Sequence, residues 1–167
     1  MGNKKGFSLI ELLITVAIIL IIAAIALPNL MRARIASNES SAAASVRTIA
    51  TGDTGYSTAY PAVGFAASLG TLGPADAVCS AGPSSANACV IDFVLAQGTK
   101  SGYSFTASQV GAGAPYIQYV ATGVPVSTST GIKGFCVVED NVVRYTTPAA
   151  AAPDHATCLS GTYSPIQ

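Results

Sequence analysis

Residues 7–27 read FSLIELLITVAIILIIAAIAL, interrupted only by Ser8, Glu11 and Thr15. As a helix this stretch is about 31 Å long at roughly 1.5 Å per residue, enough to cross the hydrocarbon core of a bilayer. A helix in the core of a soluble domain is apolar along one stripe, whereas this one is apolar all round. That pattern suits lipid or a fully enclosed bundle of helices. The composition agrees: of 167 residues 50% are hydrophobic and 10% charged, against roughly 25% charged in an ordinary soluble domain. Lys plus Arg number 8 and Asp plus Glu number 8, for a formal net charge of zero. Clustered cations for nucleic acid are therefore missing, and disorder is excluded because disordered chains are apolar-poor. The length suits one domain with an appended segment.

Ahead of the run stands MGNKKG, with Lys4 and Lys5 as a short basic region. An ordinary secretory signal would be cut beyond the apolar stretch, after an A-x-A-like sequence that Ala23, Ala24 and Ala26 imitate. Two features oppose that reading. The run is longer than the roughly 7–15 residues of a signal's apolar region, and it leads through Pro28 into a second helical pattern.

The segment Gly6-Phe7-Ser8-Leu9-Ile10-Glu11 after a short Lys-containing leader resembles the processing motif of type IV prepilins and pseudopilins. The resemblance is close from Gly6 to about Arg34. It implies cleavage between Gly6 and Phe7 by prepilin peptidase, N-methylation of Phe7, and an assembly role for Glu11. A carboxylate in an apolar helix costs roughly 2–3 kcal/mol near the bilayer centre and less towards an end, so it is a functional candidate by default. The bland reading is a Glu that snorkels to the interface. The reading the family implies pairs Glu11 of one subunit with the new α-ammonium of Phe7 on another, which sets register more than stability.

Pro28 removes a hydrogen bond to the carbonyl of Ala24 and crowds it. Either the helix stops there, or it kinks or locally melts and continues. Continuation is favoured, because Met31, Ile35, Ala42, Val46, Ile49, Tyr56 and Tyr60 recur at near-helical spacing. Arg32, Arg34, Asn38, Glu39, Ser40 and Arg47 mark the polar face. Gly52 and Gly55 predict fraying, and Pro61 and Gly64 predict a firm stop. In the family a proline at this position accompanies helix melting in the filament, which makes Pro28 the expected kink.

Residues 61–100 form a long connection rich in Gly, Pro, Ser and Ala, with one short helix expected within residues 88–96. The period then changes to two. Residues 103–107, 116–121, 132–138 and 142–146 are strand candidates, the last two joined by a turn at Asp140-Asn141. The expected fold is α+β: a long N-terminal helix, apolar then amphipathic, packed on a three- to four-stranded antiparallel sheet. The pilin architecture implied by the resemblance is the same. The expected boundaries are leader 1–6, apolar helix 7–30, amphipathic helix 31–60, connection 61–100, sheet 101–147 and tail 148–167.

Cys79, Cys89, Cys136 and Cys158 permit three pairings. Their spacing and the single histidine oppose a zinc site, and four thiols in loops or near a chain end suit two disulfides in an oxidising compartment. Cys79–Cys89 and Cys136–Cys158 are favoured because each closes a short local loop. The family's frequent C-terminal disulfide resembles the second pair. Flanking charge is balanced between Lys4, Lys5 and Arg32, Arg34, so the cysteines set the orientation: the C-terminal part lies outside the cytoplasm.

No catalytic constellation, metal site or cofactor motif is evident. His155 lacks a positioned nucleophile. Asp76, Asp92, Glu139 and Asp140 read as solvated loop charges before they read as calcium ligands. The expected function is structural and not enzymatic: a pilus subunit that waits in the inner membrane, is trimmed, and polymerises into an extracellular filament of identical copies. Its expected partners are further copies, prepilin peptidase, the inner-membrane assembly machinery and the membrane itself, with no nucleic acid. The alternatives are a major pseudopilin of a type II secretion system, which the same motif fits, or a minor pilin. Those pseudopilins commonly lack cysteines and carry a calcium loop, and the four cysteines lean away from them.

Overall fold

A computed structural model describes residues 8–77 and 79–166. The chain divides into two compact units, residues 1–34 and 35–167, with the boundary inside the first helix. That helix, α1, spans Leu9–Ala59. It passes Pro28 without a break, continuing as the pattern beyond the proline predicts. The leader and the cleavage pair Gly6 and Phe7 lie outside the described residues.

The second unit is α+β. Ala42, Val46, Ile49, Asp53 and Tyr56 of α1 are its buried stripe at steps of three and four. Against it lies one antiparallel sheet in sequential order: β1 (Thr99–Lys100), β2 (Tyr103–Val110), β3 (Gln118–Pro125), β4 (Gly134–Val138), β5 (Arg144–Thr146) and β6 (Ser164–Pro165). Six strands replace the expected three or four. The two additional ones, β1 and β6, are two-residue edge pairings too short to show any alternation.

The alternation works where one face is wet. On β2, Tyr103, Phe105 and Ala107 are buried while Ser104, Thr106 and Ser108 are exposed. The buried three join Tyr119 and Ala121 of β3, Phe135 and Val137 of β4, and the α1 stripe in one core. Gly123 lets helix and sheet approach closely: an added Cβ would stand 3.1 Å from Val46 and 2.9 Å from Phe105. β4 is buried on both faces, which is why it reads as the unbroken apolar run GFCVV. Its second face, Cys136 and Val138, packs with Val120, Cys158 and Tyr163 under the C-terminal tail. That tail carries α4 (His155–Leu159).

The connection from 61 to 100 is ordered by long-range backbone bonds. Helix α2 (Leu69–Leu72) is capped by Ser68, which accepts from Thr71 N. Residues 88–91 fold back along it, with Ala88 N and Val90 N each 2.8 Å from the carbonyls of Thr71 and Leu72. Those amides are thereby committed, and the helix expected within 88–96 shrinks to α3 (Phe93–Ala96), capped by Asp92 on Leu95 N at 2.8 Å. Leu72, Ile91 and Leu95 complete the core.

Two expectations for α1 fail for identifiable reasons. The helix does not fray at Gly52 and Gly55 but runs to Ala59. Gly52 is buried, and a Cβ there would meet Ile91 at 3.0 Å and Val90 at 3.3 Å. The glycine is a packing residue whose cost in helix propensity, about 1 kcal/mol, is offset by closing the connection onto the helix. Asn38 and Glu39 do not simply face water. Asn38 Nδ2 donates to Thr130 O at 2.9 Å, and Glu39 Oε1 accepts from Ile132 N at 3.0 Å and Lys133 N at 3.2 Å. Together they hold the chain entering β4.

Candidate assembly site

The large apolar side chains of the first unit, from Leu9 to Met31, are between 47% and 78% exposed. Full burial from full exposure is worth roughly 1.5–3 kcal/mol per such side chain, so each of these would gain roughly half to three-quarters of that, and this helix requires an apolar surrounding that the single chain lacks. By length and composition α1 is also long and apolar enough to cross a membrane.

Glu11 lies in the first turn of α1. Its Oε2 accepts from Ser8 N at 3.0 Å, and Ser8 O in turn receives Glu11 N at 3.1 Å and Leu12 N at 3.2 Å. Ser8 and Glu11 thus form the return half of a capping box, the carboxylate reaching back to the amide that precedes the helix. The sequence signal for this is plain, S-x-x-E before an apolar run, and the reading of Glu11 as an assembly residue passed over it. The arrangement holds the Glu11 carboxyl group beside Ser8, the residue next to the expected cleavage pair. A carboxylate there also complements the positive end of the helix dipole, worth about 0.3–1 kcal/mol. Pro28, inside α1, leaves the carbonyl of Ala24 without its usual helical donor.

The four cysteines are joined as Cys79–Cys89 and Cys136–Cys158. The first closes the loop after α2. The second ties β4 to α4, with both cysteines fully buried.

The acids considered as calcium ligands are dispersed in separate roles. Asp92 caps α3 and pairs with Lys100 at 3.2 Å, which together hold its carboxyl below the usual range against the opposing effect of burial. Asp140 chelates Arg144, and that bond lowers its carboxyl. Asp76 accepts from Ser80 N at 3.0 Å. Glu139 meets His155 at 2.8 Å, and Asp154 caps α4 on Thr157 N at 2.7 Å. His155 is thus a tether for the tail. Among the described residues no group of three or more His, Cys, Asp or Glu is placed to hold a metal ion.

The sequence reading missed one ionisable residue in the head. Asp53 is completely buried on the apolar stripe of α1. Its position, four residues after Ile49 and three before Tyr56, was the available signal.

Residues 1–27 match the family model described as the prokaryotic N-terminal methylation motif. Over 39 residues the chain is 59% identical to the type IV wide pilus major component PilA4 of Thermus thermophilus, a match covering 23% of this chain and 30% of that relative. The match therefore spans less than a third of the relative's length. No solved structure matches the chain significantly. With the methylation motif at the head of a long apolar helix, and the same helix continuing onto an antiparallel sheet, the chain is similar in its N-terminal segment to the type IV pilin precursors.

Proposed function

We propose that this chain is the structural subunit of a type IV pilus. The observation that carries the reading is the G-F-S-L-I-E motif opening a helix whose apolar side chains are exposed all round. Prepilin peptidase removes residues 1–6 and Phe7 becomes the methylated N-terminus. The precursor waits in the inner membrane with its disulfide-bonded head outside the cytoplasm. Apolar helices then leave lipid for one another, which conserves their apolar burial while allowing close side-chain packing. Glu11 pairs with the α-ammonium of Phe7 on another copy and fixes the register of addition. Melting near Pro28 during assembly is consistent with the missing hydrogen bond there. The subunit performs no catalysis and needs no cofactor; its activity is self-association.

The pseudopilin reading shares the motif. The pilin reading is preferred on the two disulfides in the head and on the relative, a major pilus component.

Processing is tested by co-expressing the chain with a prepilin peptidase. The wild type is expected to lose the mass of MGNKKG, and Gly6→Val, which puts a β-branched side chain at the scissile bond, is expected to keep it. Cleavage beyond Ala26, or equal trimming of both chains, would contradict the proposal.

A further inference from the structure

Among the described residues no cation is paired with Asp53. Its Oδ1 accepts from Ala66 N at 2.8 Å, while Oδ2 is buried without a partner. The hydroxyl of Tyr119 on β3 is likewise buried and unpartnered, and its ring lies tilted at 43° against Phe65 with centroids 4.6 Å apart. The Ala66 bond fastens the chain leaving α1. That chain is also held by Tyr116, which donates to Val63 O and accepts from Phe65 N, each at 2.9 Å. Gly64 at this crossing has a φ of +84° and no room for a Cβ against the Tyr116 backbone, so the segment is seated closely and Asp53 is its side-chain anchor.

Among the described residues, the ionisable groups seen acting on this site are acids. Tyr56 and Tyr60 come from α1 and its end, Tyr119 from β3, and Glu139 and Asp140 act on Tyr119 from beyond it. Among the described residues no salt bridge includes Asp53. A buried carboxylate with one hydrogen bond and no cation is costly, and such groups usually hold their proton instead. Burial accordingly pushes the Asp53 carboxyl up to about 6, against the lowering effect of the Ala66 amide.

We propose that Asp53 is a protonation-controlled clamp: as a neutral acid it anchors the Tyr60–Ala66 connection to α1, and on losing its proton it becomes an uncompensated buried charge that loosens this anchor. The sign follows from linkage. Between the ordinary carboxyl value near 4 and the folded value near 6, the folded chain binds more protons than the unfolded one. Stability from Asp53 is therefore fully present below about pH 4 and is lost as pH rises from there through 6. This is opposite to the usual paired carboxylate.

The test uses the full chain in detergent, labelled with carboxyl-13C aspartate. The Asp53 resonance is identified by its loss in Asp53→Asn or, if that variant does not fold, by its displacement in Tyr119→Phe. It is expected to titrate near pH 6. The folding constant of the wild type relative to Asp53→Asn, from denaturant midpoints, is expected to fall about tenfold between pH 5 and pH 8. Subtraction removes every other titrating group, His155 included. A midpoint at about 4 or below would show a stabilised anion and overturn the proposal, as would equal pH dependence in the two chains.

Discussion

Glu11→Gln is expected to deplete the chain from surface filaments at least about a hundredfold, with the precursor still made and its head still folded. Two roles for Glu11 meet at this residue. As a cap it accepts from Ser8 N, which is worth about 1 kcal/mol and which glutamine also supplies. As the proposed intersubunit partner of the Phe7 ammonium it supplies a charge, which glutamine does not. Removing one member of a buried pair costs about 3–5 kcal/mol because the other charge is left uncompensated, and about 3 kcal/mol is already more than a hundredfold in an association constant. The larger effect decides the outcome. Filament yield in sheared fractions, read beside precursor level in membranes, separates them. Normal filaments from Glu11→Gln and loss only with Glu11→Ala would reduce Glu11 to a helix cap.

The double change Cys136→Ala, Cys158→Ala is expected to destabilise the head by about 3 kcal/mol, roughly 10 °C in Tm. The bridge spans a sequence separation of 22, and the chain-entropy model gives that magnitude for a loop of this size. Packing adds to it, since both cysteines are fully buried and hold the tail over Val120 and Val138. Cys79–Cys89 spans only 10 residues in a loop near the surface, and its removal is expected to cost less. Thermal unfolding of detergent-solubilised chain, oxidised and variant, measures both. Equal losses would mean that burial under the tail contributes nothing.

What could be read from the sequence was whatever depends on periodicity over many residues. The apolar helix, the amphipathic stripe through Val46, Ile49 and Tyr56, and the alternating strand at Tyr103, Phe105 and Ala107 all declare themselves that way. β1 and β6 could not, because two residues carry no period; they exist only as pairings with β2 and β5. The order of residues 61–100 rests on amides bonded to distant carbonyls, such as Val90 N on Leu72 O, for which composition has no signature. Helix propensity at Gly52 predicts fraying, while its place is set by Val90 and Ile91 pressing on the helix. A charge on a helix is ordinarily solvated, and only the phase of Asp53 marks it as part of the buried stripe. At the assembly end the motif pointed to Glu11, and the structure added the Ser8 contact. The proposed partner of Glu11 on a second copy would be a property of the assembly, which the periodicity of one chain does not encode.

Proposed cleavage after Gly6, methylation and polymerisation are tested together by intact-mass and N-terminal peptide mass spectrometry on sheared surface filaments. The expected subunit begins at N-methylated Phe7 and is four hydrogens lighter than its reduced form because of its two disulfides. A chain that begins beyond Ala26, or one that retains MGNKKG and is found only in membranes, would contradict the proposal.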